Sequence, residues 1–250
     1  MVDERARMPP LMPSKPDYGI DAPGVIRNLL LIGLALLAVS FFIGRVAKVG
    51  PRLRPTMIIT GGILVAEGLA MLAYSKIGKF RHRDRMLAKI EWRGDERVLD
   101  VGTGRGALSI GAAKQLKTGR AVGIDIWSTK DLSANAMEAT YANAELEGVR
   151  DLVELKTASA TRMNFDTDSF DVVLSNLCIH NIDNAVGRDE ACREIARVLK
   201  PGGVAVISDF KHTVDYARVL SESGLAVERS GPCLLDTFPP LRIVTARKPS

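Results

Sequence analysis

The sequence predicts an α/β domain with a doubly wound, mostly parallel sheet, preceded by two apolar helices. Three observations lead to this prediction: two long apolar runs near the N-terminus, an alternation of short strands and helical stretches after them, and a glycine-rich turn that follows the first strand. A chain of 250 residues, 46% of them hydrophobic, has room for one such domain and a smaller appendage.

The two apolar runs predict a transmembrane helical hairpin over residues 25–74. The first run covers residues 25–44, and the second covers residues 57–74 with Glu67 as its one charged residue. A spanning helix needs about 20 largely apolar residues, so each run is long enough to cross a bilayer or to dip into one leaflet. A cleaved signal peptide and two buried helices of a soluble protein are the competing interpretations.

The segments beside the hairpin are assigned by composition. Residues 1–24 are rich in proline and predict a mobile tail, while residues 75–93 carry seven bases against two acids and predict a basic linker helix. This basic charge lies next to the apolar runs and not on the domain, so we expect contact with membrane lipids and no nucleic-acid partner. The distribution of Lys and Arg places the domain on the cytosolic side of the membrane.

The domain itself is predicted over residues 94–250. Alternating strands and helices are typical of a parallel sheet with helices on both faces. The last two apolar stretches have no helix between them, so they are expected to pair antiparallel. The seven predicted strands cover residues 97–101, 121–126, 153–157, 170–176, 204–209, 226–229 and 241–246. Three cysteines without a C-x-x-C pair predict neither a disulfide framework nor a metal site.

The glycine-rich turn follows the first strand. Glycines let the backbone turn sharply and approach a ligand at the carboxyl end of a strand, where open α/β sheets bind ligands. Asp100 lies two residues before Gly102 and would repel a pyrophosphate, so it favours a cationic ligand. Gly102, Gly104 and Ala107 also satisfy the G-x-G-x-x-A pattern, which leaves a nicotinamide-dependent oxidoreductase as an alternative.

Asp125 ends the second strand, nineteen residues after Gly106. At this position an acidic side chain can accept hydrogen bonds from both hydroxyls of a ribose. Ile126 and Trp127 follow it and are candidates for packing on an adenine ring. We therefore expect a nucleoside to bind at the ends of the first two strands.

These motifs together resemble the class I, Rossmann-like S-adenosylmethionine-dependent methyltransferases, particularly the ubiquinone and menaquinone biosynthesis branch. The resemblance covers about residues 96–203, through D-V-G-T-G-R-G at 100–106, G-I-D at 123–125, N-F-D-T-D-S-F-D-V-V at 164–173 and L-K-P-G-G at 199–203. It implies a seven-stranded sheet with an antiparallel last strand and S-adenosyl-L-methionine as the cofactor.

The resemblance also implies where the cofactor is held. It places Gly102 and Gly104 against the methionine part, Asp125 on the ribose and Asn176 beside the reaction pocket. Many relatives have Gly-Asp-Ala where this chain has Ala-Ser-Ala at 158–160, and a serine accepts a hydrogen bond more weakly than a carboxylate. The candidate cofactor residues are Asp100, Gly102, Thr103, Gly104, Gly106, Asp125, Ile126, Ser159, Ala160 and Asn176.

Methyl transfer mainly needs positioning, and a general base is optional. His180 is the candidate base, because it follows the fourth strand and could take a proton from a hydroxyl nucleophile. A histidine bonded to loop backbone is the alternative interpretation. The sequence thus predicts a membrane-anchored methyltransferase acting on a small, lipophilic acceptor. A membrane-tethered module that binds S-adenosylmethionine without catalysis is the other alternative.

Overall fold

The computed structural model describes residues 14–46 and 52–250. The rest of the predicted tail, residues 1–13, and the middle of the connector between the apolar runs lie outside the described residues. The two runs form helices α1 (Pro23–Val46) and α2 (Leu53–Ala73), which pack along each other. At their contact the backbones are close: a Cβ added to Gly33 would lie 2.8 Å from the carbonyl oxygen of Gly61, and the reverse distance is the same.

The apolar hairpin, as we name α1 and α2, is exposed on most of its surface. In the most apolar 18-residue stretch of the first helix 17% of the residues are buried, and in that of the second helix 11% are buried. These are therefore not core helices of the domain. At 1.5 Å per residue, helices of 24 and 21 residues are about 36 and 32 Å long, against about 30 Å for the hydrocarbon core of a bilayer. By length and composition both helices are able to cross a membrane.

A continuous helical path leads from the hairpin into the domain. A π-helical turn (Tyr74–Gly78) joins α2 to helix α3 (Lys79–Leu87), and both lie in the segment whose composition predicts a basic linker helix. The structure instead buries one side of this segment in the domain core, where Met86 is fully buried and Leu87 and Ile90 are nearly so. The arginines of α3 lie on its remaining surface, while Lys79 is buried. The predicted boundary near residue 94 therefore cuts through a packed part of the domain.

The domain contains a seven-stranded sheet in the order β3-β2-β1-β4-β5-β7-β6, in which β7 alone runs antiparallel to its neighbours. This confirms the predicted sheet. The strands are β1 (Arg97–Val101), β2 (Arg120–Asp125), β3 (Val153–Thr157), β4 (Phe170–Asn176), β5 (Leu199–Asp209), β6 (Ala226–Arg229) and β7 (Arg242–Arg247). The helices are α4 (Ala107–Ala113), α5 (Met137–Leu146), α6 (Ala185–Val198) and α7 (Thr213–Glu222), with short 3-10 turns at Arg150–Leu152 and Ile179–Asn181.

Hydrophobic clusters cover both faces of the sheet. Successive side chains of a strand point to opposite faces, and in β1 Val98 joins one cluster while Leu99 and Val101 join the other. The ends of β1, β2, β4 and β5 lie at the same side of the sheet, together with the start of β7, because Asp209 pairs with Arg242. We call this side the carboxyl edge.

The N-terminal strap, residues 14–22, packs on the domain, whereas the sequence analysis predicted a mobile tail to residue 24. The Asp17 N–H donates to Asn143 Oδ1 at 2.9 Å, and the hydroxyl of buried Tyr18 donates to Glu147 at 2.9 Å. Ser133 N–H donates to the carbonyl of Ile20 at 3.1 Å. The strap therefore runs across the helices and loops of the carboxyl edge before α1 begins.

Candidate functional site

The glycine-rich turn lies at the carboxyl edge and has left-handed backbone at Gly102 (φ 76°), Gly104 (φ 52°) and Gly106 (φ 88°). A Cβ on Gly102 would overlap the side chain of Cys178, so the turn also needs glycine for close contact with the loop after β4. Gly106 precedes the first residue of α4. The predicted sharp turn is present. It packs against the loop after β4, and its outer side is where a ligand would bind.

Asp100 is buried beneath this turn and is not exposed at the carboxyl edge. Its Oδ2 accepts a hydrogen bond from Ser109 N–H at 2.9 Å, and its Oδ1 has no partner among the described residues. Burial raises the pKa of this carboxyl to about 6, although hydrogen bonds from Thr103 and Ser109 oppose the rise. Thr103 is buried too, and its hydroxyl lies 2.7 Å from that of Ser109. Both candidates thus stabilise the turn from inside.

Asp125 ends β2 at the predicted place. Its Oδ2 accepts from Gly104 N–H at 2.8 Å, and its Oδ1 accepts from Trp127 N–H at 2.6 Å and from Asn135 Nδ2 at 3.2 Å. A carboxylate has about four acceptor positions, so these bonds orient the group and leave room for a further donor. The carboxylate therefore links the glycine turn to the second strand.

The predicted adenine contacts differ in how available they are. Ile126 is 67% exposed beside Asp125 and is free to pack on a ring. Ser159 is exposed, but its hydroxyl lies 2.9 Å from that of Thr161 and accepts a bond from the Thr161 N–H, so it closes a local turn. Ala160 lies in the same turn, half-buried, and its side chain offers only apolar contact. Ser159 is thus already engaged in the absence of a ligand.

Asn176 ends β4 and contacts a residue that the sequence did not suggest. Its Nδ2 donates to the hydroxyl of Tyr74 at 3.4 Å, while its Oδ1 is buried without a partner among the described residues. Tyr74 is buried and lies where the apolar hairpin ends. The side chain nearest the predicted reaction pocket is therefore held by the segment that leads out of the hairpin.

His180 forms a pair with Asp209, which is completely buried at the end of β5. The imidazole Nδ1 lies 2.9 Å from one Asp209 oxygen and 3.1 Å from the other, and the His180 backbone N–H donates to the same carboxylate. Asp209 also accepts from Phe210 N–H at 2.8 Å and from the Tyr216 hydroxyl at 3.3 Å. A carboxylate can only accept, so Nδ1 donates in this pair, and Nε2 is the ring nitrogen that does not contact Asp209.

Two buried acceptor oxygens, one beside Asp125 and one at the end of β4, lack a donor in the described part of the chain: Asn135 Oδ1 and Asn176 Oδ1. An unpaired buried acceptor is costly, so such a group favours a ligand that brings N–H or O–H donors. With the carboxylate of Asp125 close by, the site suits a positively charged ligand with hydroxyl groups and disfavours a phosphate. S-adenosylmethionine, with its ammonium, sulfonium and ribose, fits this description.

Several site residues could not be found from the sequence. Tyr74 and Asn135 reach the site through folding, and Tyr74 is separated from Asn176 by 102 positions in the chain. Leu132 packs on Gly104, with one methyl group 2.8 Å from the position of an added Cβ. No motif marks these residues, because their roles depend on the packing of the hairpin and the strap. Within residues 14–46 and 52–250, no group of His, Cys, Asp or Glu is arranged to hold a metal ion.

Comparison with known proteins agrees with this geometry. Residues 99–207 match the family model of a methyltransferase domain. The chain is 32% identical over 119 residues to the ubiquinone/menaquinone biosynthesis C-methyltransferase UbiE of Chromobacterium violaceum, covering 47% of this chain and 44% of that protein. It is 35% identical over 116 residues to the erythromycin 3''-O-methyltransferase of Saccharopolyspora erythraea, covering 46% and 35%. The chain spans about half the length of the first curated relatives that it matches.

The fold is also that of solved methyltransferases. Phosphoethanolamine N-methyltransferase 2 of Haemonchus contortus, solved in complex with S-adenosyl-L-methionine, superposes with a TM-score of 0.53 at 18% identity, covering 68% of this chain and 53% of that one. The nicotinamide-dependent alternative is not favoured by these matches. Residues 99–207 therefore match a methyltransferase domain, the sheet has the class I, Rossmann-like fold of the solved methyltransferases, and the comparisons support S-adenosyl-L-methionine as the cofactor.

Proposed function

We propose that this chain is a membrane-anchored methyltransferase that transfers the methyl group of S-adenosylmethionine to a hydroxyl group of a small, lipophilic acceptor. The observation that carries the proposal is the pair of His180 and Asp209 at the ends of β4 and β5. A buried carboxylate that orients an imidazole is the arrangement expected of a general base. A hydroxyl acceptor needs such a base, because it is a weak nucleophile until its proton is removed.

The roles of the chain follow from the site. Asp125 and the glycine turn would hold the ribose and the methionine part, and Asn176 Oδ1 would accept from a donor of the cofactor or the acceptor. The bound cofactor supplies a methyl group that its sulfonium has already made electrophilic. His180 would accept the hydroxyl proton at Nε2, and Asp209 would stabilise the imidazolium that forms. The erythromycin relative, which is named as an O-methyltransferase, supports an oxygen acceptor.

Membrane anchoring is proposed from the placement of the apolar hairpin. Its first helix starts beside the loop after β2, where Ala22 N–H donates to the carbonyl of Asp131 at 2.8 Å, and its second helix ends beside Asn176. The hairpin thus rises from the carboxyl edge, where the site lies. An acceptor dissolved in the bilayer would be concentrated next to this edge, which a soluble acceptor would not be.

The test uses the full chain in liposomes with isotope-labelled S-adenosylmethionine, supplied with a lipid extract and, separately, with an aqueous metabolite pool. We expect label in the lipid extract. His180→Gln should lower turnover by about 10²- to 10⁴-fold, the usual contribution of a general base, while cofactor binding by calorimetry stays unchanged. His212→Gln is the matched control, since His212 lies near the same edge and contacts Asp215 at the start of α7.

Two outcomes would contradict the proposal. Equal turnover by the His180→Gln and His212→Gln variants would exclude His180 as the base. Label found only in aqueous compounds would exclude a lipophilic acceptor.

A further inference from the structure

Large apolar side chains that are exposed outside the hairpin share one location. Among the described residues after Tyr74, all of them lie at the carboxyl edge: in the π-helical turn after α2, directly after a strand, in the first turn of the following helix or in the loop before β7. They are Ile77, Ile126, Val186, Val214, Leu234 and Leu235. The opposite edge of the sheet exposes none of this kind within the same residues. A one-sided apolar rim on a soluble fold marks a binding surface.

The most prominent part of this rim is the tip of the loop before β7. Leu235 is 102% exposed and Leu234 is 69% exposed, so neither packs on the domain. The next residue, Asp236, is firmly placed: its carboxylate accepts from Arg85 at 2.7 Å, and its backbone carbonyl lies against Gly78. The loop is thus fixed to the helical path out of the hairpin while its two leucines point away from the protein.

The contact between Asp236 and Gly78 determines how far the tip of this loop lies from the end of α2. Gly78 lies five residues beyond Ala73, the last residue of α2, which is about 7.5 Å along a helix. The headgroup region on each side of a bilayer is about 5 to 7 Å thick. If α2 spans the hydrocarbon core, Leu234 and Leu235 lie at the level of the lipid headgroups.

Exposed cations on this rim are suited to contact with anionic lipid headgroups. Lys76 and Arg81 are exposed on the helical path out of the hairpin, and Lys211 is exposed directly after β5. Cations at the headgroup level are attracted to anionic lipids, and leucines between them can enter the acyl boundary. Continuity with the apolar hairpin therefore favours a lipid bilayer as the occupant of the rim.

We propose that the carboxyl edge docks flat on the membrane, with Leu234 and Leu235 inserted at the interface, so that the candidate site faces the bilayer. This inference rests on the proposed membrane anchoring and goes beyond it. Anchoring by the hairpin alone leaves the tilt of the domain open, whereas a docked rim lets a lipophilic acceptor reach the site without crossing water.

The test places a polarity-sensitive fluorophore on single cysteines of the full chain in liposomes, with Cys178→Ser, Cys192→Ala and Cys233→Ser removing the three native thiols. The three positions are Leu235→Cys at the tip, Ser250→Cys beyond the end of β7 at the opposite edge, and Ile63→Cys on the exposed side of α2. Lipids brominated in their acyl chains quench a fluorophore that reaches the membrane. We expect blue-shifted, quenched emission at positions 235 and 63, and unchanged emission at position 250.

The three positions separate the two ideas. Quenching at position 63 with water-like emission at position 235 would overturn the docked edge and leave the anchoring intact. Water-like emission at positions 63 and 235 would overturn the anchoring and, with it, the docked edge. Quenching at position 250 as strong as at 235 would show that binding is not specific to the carboxyl edge, which also overturns the inference.

Discussion

The packing of α3 predicts where the chain can be cut. A fragment that starts at residue 90 follows the sequence-based boundary closely, but it lacks Met86 and Leu87, which belong to one of the two core clusters. It also lacks the carbonyl of Leu87, to which Trp92 Nε1 donates at 3.1 Å, and His82, whose Nε2 lies 2.6 Å from Ser208 Oγ. We expect this fragment to be unstable, and a fragment from residue 75 to fold.

The size of the effect follows from burial. Met86 is fully buried and Leu87 is 6% exposed. Truncating a buried Met or Leu to Ala costs about 2 to 5 kcal/mol, so losing both side chains costs roughly 4 to 10 kcal/mol. A typical domain has a free energy of unfolding of about 5 to 15 kcal/mol. Removing α3 therefore consumes most or all of the stability of the domain.

Urea unfolding followed by circular dichroism and by tryptophan fluorescence measures this difference. The fragment from residue 75 should unfold cooperatively, and the fragment from residue 90 should show no cooperative transition or a much lower midpoint. Met86→Ala in the longer fragment is the intermediate case, with a loss of about 2 to 5 kcal/mol. Equal midpoints for the two fragments would refute the assignment of α3 to the core.

Three further predictions concern the site. Asp125→Ala should weaken S-adenosylmethionine binding more than tenfold by calorimetry, because charge-assisted hydrogen bonds to ribose are worth about 1.5 to 3 kcal/mol each; an unchanged Kd would contradict this role. Gly102→Ala should destabilise the fold more than Gly148→Ala in urea unfolding, since both have positive φ but only the first Cβ meets a side chain, that of Cys178; equal losses would exclude the overlap. Burial raises the pKa of Asp100 to about 6 from an ordinary 3.8, so the folded state binds this proton more tightly than the unfolded state. The stability that proton binding contributes at low pH is lost as the pH rises through 6. The stability difference between the native chain and Asp100→Asn should therefore change by roughly 2 kcal/mol between pH 4 and 7, and a pH-independent difference would rule this out.

Local patterns were sufficient to predict the sheet. The strand at 97–101 was predicted to the residue, because its apolar run ends at a glycine turn that only a few backbone conformations satisfy. The strand predicted at 204–209 begins five residues earlier in the structure, at Leu199, which pairs with Phe170 across an irregularity in the register. Such a pairing depends on the neighbouring strand and leaves no periodic signal in the sequence.

The candidate site was predicted less completely. The position of Asp125 follows from spacing, but its bonds to Gly104 and Asn135 do not. The sequence offered His180 as a base and could not show that the buried carboxylate of Asp209 orients it. The contacts of Tyr74 and of the strap with the domain could not be predicted, because composition alone predicts a membrane helix for the first segment and a mobile tail for the second. The composition of a segment indicates whether it prefers water or an apolar environment, but it does not show which distant residues its side chains contact.

The strap and α3 have a consequence for how the enzyme moves. The chain enters the apolar hairpin beside Asp131 and leaves it beside Asn176, so the domain is attached at two separated points of one edge. Buried Lys79 braces these two points together, because its ammonium lies 2.9 Å from Asp21 Oδ2 and donates to the carbonyl of Tyr18 at 3.1 Å. A domain on one flexible tether tumbles and samples every orientation, whereas one held at two braced points keeps a fixed tilt. In the proposed membrane-anchored enzyme, depth within the bilayer would then select among acceptors, because only a hydroxyl at the same depth as His180 could reach this proposed base.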